Sequence, residues 1–205
     1  MNENFVNAVK TARENTKDRK FKQTFDLIVN LKLIDLKKPE NRLNEIMALP
    51  NGRGKDASVV IFSDNIKGTE LKVFSSSDIT KLGNSKRETK KIAKNTDFFL
   101  SEPKLMPIVG KILGKFLAPR GKMPAIMPGD HESMVKRFKK SIRIKVKESP
   151  VVQCTIGNED MTNEEIAENI ESVLEFLEKK LPKGRNNIEK PMVKLTMGKP
   201  VKIEM

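Results

Sequence analysis

The hydrophobic pattern of this chain changes character twice along its length, and that double change constrains the fold more than any single motif. Between Ser58 and about Glu148, apolar residues come in short unbroken runs. "SVVIFS" is a run of the kind found in fully buried parallel strands, and "ELKVFS" and "DFFLSE" repeat it. Helical patterns fill the intervals, in "SKRETKKIAK", "LMPIVGKILGKFL" and "HESMVKRFKK". Alternating strands and helices predict a small open α/β layer around a parallel sheet.

Outside that stretch the periods differ. Phe5, Ala8, Val9 and Ala12 fall at helical spacing after Asn2 or Asn4 and predict a first helix. Phe25, Leu27, Val29, Leu31 and Leu33 alternate with Asp26, Ile28, Asn30 and Lys32, a half-buried strand. "LNEIMALP" is a second strand, closed by the turn-rich "PNGRGK". Towards the other end, "VVQCTIG" predicts a strand and "MTNEEIAENIESVLEFLEKKLPKG" a helix. That helix has a capping box in Thr162 and Glu165, a staple from Met161 to Ile166, and a stripe of Ile166, Ile170, Val173, Leu174 and Leu177. Glu164 and Glu165 suit its N-terminal dipole and Lys179 and Lys180 its C-terminal one, while Pro182 and Gly184 end it. "PMVKLTM" is the closing strand.

Residues 1–57 and 149–205 thus each supply one helix and two strands, and each is too small to bury an adequate core alone. Together they make an ordinary domain. The expected fold is therefore an α+β discontinuous domain built from both termini, 1–57 and 149–205, with an α/β domain, 58–148, inserted in it. The closing strand should share a sheet with the opening one. The chain should cross between the domains at "PNGRGK" and around Glu148 to Pro150.

Composition narrows the partner. A formal net charge of +13 and a pI near 9.7 favour a polyanion, most often nucleic acid, because each neutralised phosphate releases counterions. A lysine-rich solvated surface is the plainer alternative. Residues 58–148 hold 20 basic and 9 acidic side chains, whereas the two ends together hold a net charge of only +2, so bulk charge alone places the contact on the insert. With no Trp or Tyr, any base stacking must use Phe, Met or Arg. Cys154 is the only cysteine, which excludes a disulfide framework or Cys-rich zinc site. No signal-type apolar region and no membrane-length run stands out, and the expectation is a soluble cytoplasmic protein.

Catalytic patterns are missing. "GKILGKFLAPRGKMPAIMPGD" has the look of a phosphate cradle, yet Gly114 and Gly121 enclose six residues and Met123 follows Lys122, against a P-loop's spacing. The loop better suits a phosphate backbone met by Lys115, Arg120 and Lys122, or is an ordinary surface loop. His131 stands alone near a helix start, and Cys154 lies in an apolar strand. Glu164, Glu168, Glu171, Glu175 and Glu178 read as a solvated helix face. No enzyme, cofactor or metal is expected. "TKDRKFKQT" differs in kind, with Phe21 among Arg19, Lys20 and Lys22 and the hydroxyl of Thr24 following: a stacking plane, cations and a sugar-binding group, or else an ordinary core anchor. In "KLTMGKP", Lys194 to Pro200, a strand needs neither Gly198 nor Pro200, which suggests a working site at the end of the closing strand.

Together "KFKQTFDLIVNL", "LPNGRGK", "DFFLSEPKLMPIVGKILGKFLAPRGKMP", "IGNEDMTNEEIAENI" and "KLTMGKP" resemble the large-subunit ribosomal protein family called L-one, in a form more archaeal than bacterial. The resemblance implies a two-domain fold whose insert is a Rossmann-like α/β three-layer domain. It implies binding to large-subunit rRNA at the mobile stalk of the large ribosomal subunit, help in releasing deacylated exit-site tRNA, and repression of its own mRNA, with a free protein that is monomeric. The family's rRNA contact lies on the two-ended domain, against the bulk-charge reading. Its "KF..T" element falls on Lys20, Phe21 and Thr24, and its "TMG" element on Thr196, Met197 and Gly198, with Phe21 and Met197 against ribose and base faces, the threonines bonding sugar or phosphate, and Gly198 allowing close approach of RNA. Lys190 stands where relatives commonly carry serine, and Lys115 and Ala118 where the insert loop more often has Pro and Gly. The contrasting readings are a nucleotide-dependent enzyme using the α/β insert and a free-standing mRNA regulator.

Overall fold

The computed structural model describes residues 3–17, 19–38, 41–66, 71–127 and 131–204, so Asn2 as a cap and the last three residues of the "GKILGKFLAPRGKMPAIMPGD" loop lie outside it. In chain order the elements are α1 (Glu3–Glu14), β1 (Thr24–Leu31), β2 (Leu43–Ala48), β3 (Val59–Phe62), β4 (Lys72–Phe74), α2 (Ser76–Asn84), α3 (Lys86–Asn95), β5 (Phe98–Ser101) and α4 (Met106–Leu117). They continue with β6 (Ala125–Ile126), α5 (His131–Lys139), β7 (Ser141–Val146), β8 (Val151–Asn158), α6 (Asn163–Lys180), β9 (Ile188–Leu195) and β10 (Val201–Lys202). The chain packs as two compact units, Met1–Asp56 with Lys140–Met205, and Ala57–Lys139. No described helix is long and apolar enough to cross a membrane.

In the first unit the strict alternation of β1 decides the packing. Phe25, Leu27, Val29 and Leu31 are buried on one face. They form one core with Val9 and Ala12 of α1 and Ile166, Ile170, Val173 and Leu177 of α6, and each fully buried aliphatic side chain there contributes roughly 1.5–3 kcal/mol. β1 is flanked by β8 and β9, both antiparallel, in the order β10-β9-β1-β8, with Leu27 opposite Cys154 on one side and Val193 on the other. The opening and closing strands are therefore direct neighbours. The capping box of α6 is formed in both directions, Glu165 N donating to Thr162 Oγ1 at 3.2 Å and Thr162 N to Glu165 Oε2 at 2.9 Å.

Two expectations about this unit need correction. Leu33 is not in the opening strand: β1 ends at Leu31, where the next amide, Lys32 N, donates to Asn187 O, and Leu33 turns into the left-handed region with φ 58° and is 68% exposed. The boundary placed at Glu148 is also too late. Ser141–Val146 pairs antiparallel with Leu43–Ala48, Ile46 facing Arg143, so β7 belongs with the terminal segments. Glu148 to Pro150 then links β7 to β8 within one unit, and Pro150 O accepts from Leu31 N at 2.8 Å. The chain passes between units at 56/57 and 139/140 instead.

The "PNGRGK" turn is fastened to its own unit by side-chain amides. Fully buried Asn169 of α6 donates to Gly52 O at 2.8 Å and Ile156 O at 2.7 Å, and accepts from Asn51 N at 3.2 Å. Gly54 has φ 77°, and a Cβ there would collide with the Asn158 carboxamide, whose nitrogen donates to Gly54 O. Position 54 therefore tolerates only glycine without displacement.

The second unit holds a parallel sheet in the order β4-β3-β5-β6. Val60, Phe62 and Phe99 pack against Ile79 and Leu82 of α2, Ala93 of α3 and Val109, Leu113 and Leu117 of α4. The opposite face meets α5, where Phe98 and Phe138 stand edge to face at 5.5 Å. β3 and β5 are buried throughout, as continuous runs require, but β4 is an edge strand and only partly covered. The sequence reading missed α2, signalled by the Ser75/Asp78 capping box, and β6 inside the supposed phosphate loop.

Replacing Asn169 with Ala should cost about 1–3 kcal/mol beyond the small volume lost, because two buried carbonyls lose their donor. A urea titration measures it. A change under half a kcal/mol would show that the turn is held by other means.

Candidate nucleic-acid interface

The "KF..T" and "TMG" elements, 172 residues apart at the two threonines, are joined by direct hydrogen bonds. Thr24 and Thr196 share an Oγ1···Oγ1 bond of 3.0 Å, Thr24 N donates to Thr196 Oγ1 at 3.2 Å, and Thr196 N donates to Thr24 O at 3.0 Å. The cause is the register of β1 on β9, which sets Phe25 opposite Leu195 and carries the chain one residue further on each side. Thr196, Met197 and Gly198 then form a turn, Gly198 N donating to Leu195 O at 2.9 Å, and β10 folds back onto β9. "KLTMGKP" is thus the end of a strand and the turn of a hairpin.

Around this junction Met197 is 58% exposed and Phe21 52% exposed, while Lys20 is exposed and enters no ion pair among the described residues. Phe21 is not a core anchor. A patch with two exposed soft apolar side chains, two hydroxyls and the exposed Lys20 ammonium can meet ribose and base faces and phosphate oxygens together. Lys194 adds a further cation, its Nζ resting on Thr196 O at 2.9 Å. On the same sheet face a polar cleft of about 510 Å³ is lined by Asp26, Arg53, Arg143, Gln153, Thr155 and Lys194. Lys22, by contrast, is paired with Asp160 at 2.7 Å, and that hydrogen bond raises its pKa.

Gly198 has an internal role. A Cβ on it would collide with Thr16 Oγ1, which itself donates to Ala12 O at 2.8 Å at the end of α1. The space a side chain would need is thus taken by the chain's own helix end. Lys190, which replaces the expected serine, is exposed at the start of β9 with φ 32°, beside the irregular register between Val29 and Leu31.

The insert loop differs from expectation. Arg120 NH1 donates to Phe116 O at 3.1 Å, and Lys115 Nζ lies 5.2 Å from the Phe116 ring. The exposure expected of Lys122 is corrected: its ammonium donates to Ala93 O, Lys94 O and Thr96 O at 3.1, 3.3 and 2.6 Å, so it caps the C-terminus of α3 with all three protons. Gly121, with φ 66°, ends the preceding 3-10 turn. Bulk charge is also redistributed by the boundary at 139/140: Ala57–Lys139 holds 16 basic and 8 acidic residues, and the other unit 24 and 19.

Where a nucleotide would sit in a parallel sheet, at the carboxyl ends of β3 and β5, this chain places carboxylates. Glu102 accepts from Ser63 Oγ and Asn65 Nδ2, and Asp64 accepts from Ser76 N at 2.7 Å. The N-terminus of α2 is closed by Asp64 and Asp78, so the groups that would bind phosphate are occupied by the protein's own anions. Cys154 is buried, and burial pushes its thiol up to about 12, consistent with an inert core residue. Among the described residues no cluster of His, Cys, Asp and Glu could hold a metal ion.

Three residues in the junction were not singled out from sequence. Gln23, Glu159 and Arg13 are polar groups whose roles depend on partners more than 130 residues away, and no local pattern announces them. Arg13 lies 5.0 Å over the Phe25 ring and donates to Asn163 Oδ1, Glu159 O and Met161 O.

The described residues form a mixed fold with an antiparallel sheet built from both terminal segments and a separate parallel sheet. The Ribosomal protein L1p/L10e family matches residues 11–199, and the chain belongs to that family. It is 44% identical over 207 residues to the large ribosomal subunit protein uL1 of Pyrococcus abyssi, covering 97% of this chain and 94% of the relative. It is 44% identical over 209 residues to that of Methanocaldococcus jannaschii, covering 98% and 95%, and 39% identical over 211 residues to that of Methanobrevibacter smithii, covering 99% and 100%.

Gly198→Ala should destabilise the protein by about 1–3 kcal/mol through overpacking against Thr16. Thermal melts of Gly198→Ala, Thr16→Ala and the double variant test this. Thr16→Ala should recover part of the loss, and strictly additive effects would refute the contact.

Proposed function

We propose that this protein is a structural constituent of the large ribosomal subunit that binds large-subunit rRNA through Lys20, Phe21, Thr24, Thr196, Met197 and Gly198. The observation that carries this reading is the paired Thr24–Thr196 junction, which gathers the two elements of the family resemblance into one exposed patch. Phe21 and Met197 supply apolar faces for sugar and base, Lys20 meets phosphate, and the threonine hydroxyls keep acceptor capacity beyond the bond they share. Gly198 shapes the turn by admitting Thr16 beneath it. Such contacts read RNA shape more than base sequence.

Membership of the family and the name carried by its relatives support a place in the large ribosomal subunit. Placement at the mobile stalk, assistance to release of exit-site tRNA, and repression of the protein's own mRNA by a monomeric free form are proposed from the sequence resemblance alone. Lys115 and Arg120 serve as secondary phosphate contacts, without Lys122. The working place is the ribosome in the cytoplasm. No observation favours the nucleotide-dependent alternative, and the carboxylates at the ends of β3 and β5 oppose it.

Co-sedimentation with large ribosomal subunits tests the placement; a protein that stays in the supernatant at physiological salt would refute it. Met197→Asp should weaken binding to transcribed archaeal large-subunit rRNA by at least tenfold, since it sets a charge against the RNA where an apolar contact stood, and should leave the melting curve nearly unchanged. Thr196→Ala should weaken binding and also lower stability by about 1 kcal/mol, because its hydroxyl is bonded to Thr24. Affinity equal to wild type in both variants would sink the assignment of this surface.

A further inference from the structure

Gln23 is 1% exposed, yet it lies beside the turn that carries the exposed Met197. Its side-chain Oε1 accepts from Met197 N at 3.0 Å. Its Nε2 donates to Glu159 Oε1 at 3.0 Å and its backbone N to Glu159 Oε2 at 2.9 Å, while Glu159 N donates back to Gln23 O at 3.1 Å. The carbonyl of Glu159 is itself held by Arg13 NH1 at 2.9 Å. A line of hydrogen bonds thus runs from α1, through the segment before α6, through the residue before β1, to the amide of Met197.

We propose that Gln23 and Glu159 form a strut that holds the Met197 turn in its RNA-binding shape before RNA arrives, making Glu159 a positioning residue for a surface it does not contact. This rests on the RNA-surface reading above. The geometry requires both residue types. Met197 N needs an acceptor, and the same side chain must present a donor to a carboxylate that takes two protons at once, which an amide does and a hydrocarbon or hydroxyl of that reach does not. An unstrutted turn would sample other shapes, and RNA would bind only the competent fraction, so affinity falls without loss of any direct contact. Two further features fit a strut: the reciprocal bonding of Gln23 and Glu159, which leaves neither side chain free to turn, and the near-complete burial of the amide that touches Met197.

The test uses the full chain with Gln23→Met, Glu159→Gln and the exchange pair Gln23→Glu with Glu159→Gln. In the pair the carboxylate now accepts from Met197 N, and the new amide at 159 donates to it while accepting from the backbone N of residue 23, so every bond of the strut is restored with the charge moved. Amide hydrogen exchange at Met197 in the free protein, and affinity for transcribed archaeal large-subunit rRNA across a salt series, are measured for each. The two single variants should speed exchange at Met197 and weaken RNA binding about three- to tenfold, with an unchanged dependence of affinity on salt, because no phosphate contact is removed. The exchange pair should return both towards wild type. Fast exchange without loss of affinity in Gln23→Met overturns the proposal, and so does loss of affinity with exchange at Met197 unaltered. Met197→Asp separates the two levels: if it weakens binding while Gln23→Met does not, the strut fails and the surface stands; if neither weakens binding, the surface itself is wrong.

Discussion

The pairing of β1 with β9 is the interaction on which the rest depends. It joins the beginning and end of the chain in the centre of one sheet, so that the core face of β1 can be covered by α1 from one terminus and α6 from the other. Neither terminal segment has enough apolar surface to fold by itself. Loop-closure entropy opposes a contact between residues so far apart, but it grows only logarithmically with the intervening length, so a large insert adds little to the cost once the pairing is made. Because that insert folds around its own parallel sheet and buries its own phenylalanines, it supplies its own stability across the gap.

The same register creates the proposed interface. A strand pair whose last rungs are Phe25 and Leu195 must bring the next residues together, and in this chain those are two threonines flanked by Met197 and preceded by Phe21. Buried and half-buried groups beneath it determine its shape: Thr16 fills the space under Gly198, Gln23 meets the Met197 amide, and Arg13 spans Phe25 and the start of α6. Of the three cations expected to meet phosphate in the second unit, Lys122 is held by three carbonyls at the end of α3, whereas Lys20 beside Phe21 is exposed.

The periodic elements were legible in the sequence because their residues answer to neighbours three, four or two positions away. The alternation of Phe25 to Leu31, the capped stripe of α6 and the unbroken runs of β3 and β5 all appear in the structure. Two misreadings had local remedies: "SIRIKV" has a clean two-residue period that would have marked β7, and Ser75 with Asp78 marks the start of α2. Leu33 could not be corrected from pattern, since what ends β1 is the backbone of Asn187, far away in the chain.

The linear order of residues by itself determined the strongly periodic helices and strands, that the ends must combine to make a core, and which family motifs the chain carries. Tertiary structure alone decided where the insert ends, because β7 belongs with β2 through ladder hydrogen bonds that no local period specifies. It alone decided that Gly198 serves packing against Thr16, that Lys122 is a helix cap, and that Gln23 reaches Glu159 on one side and Met197 on the other. In each case the reason is the same: a polar or small residue takes its role from the partner that folding sets against it, and that partner is distant in sequence.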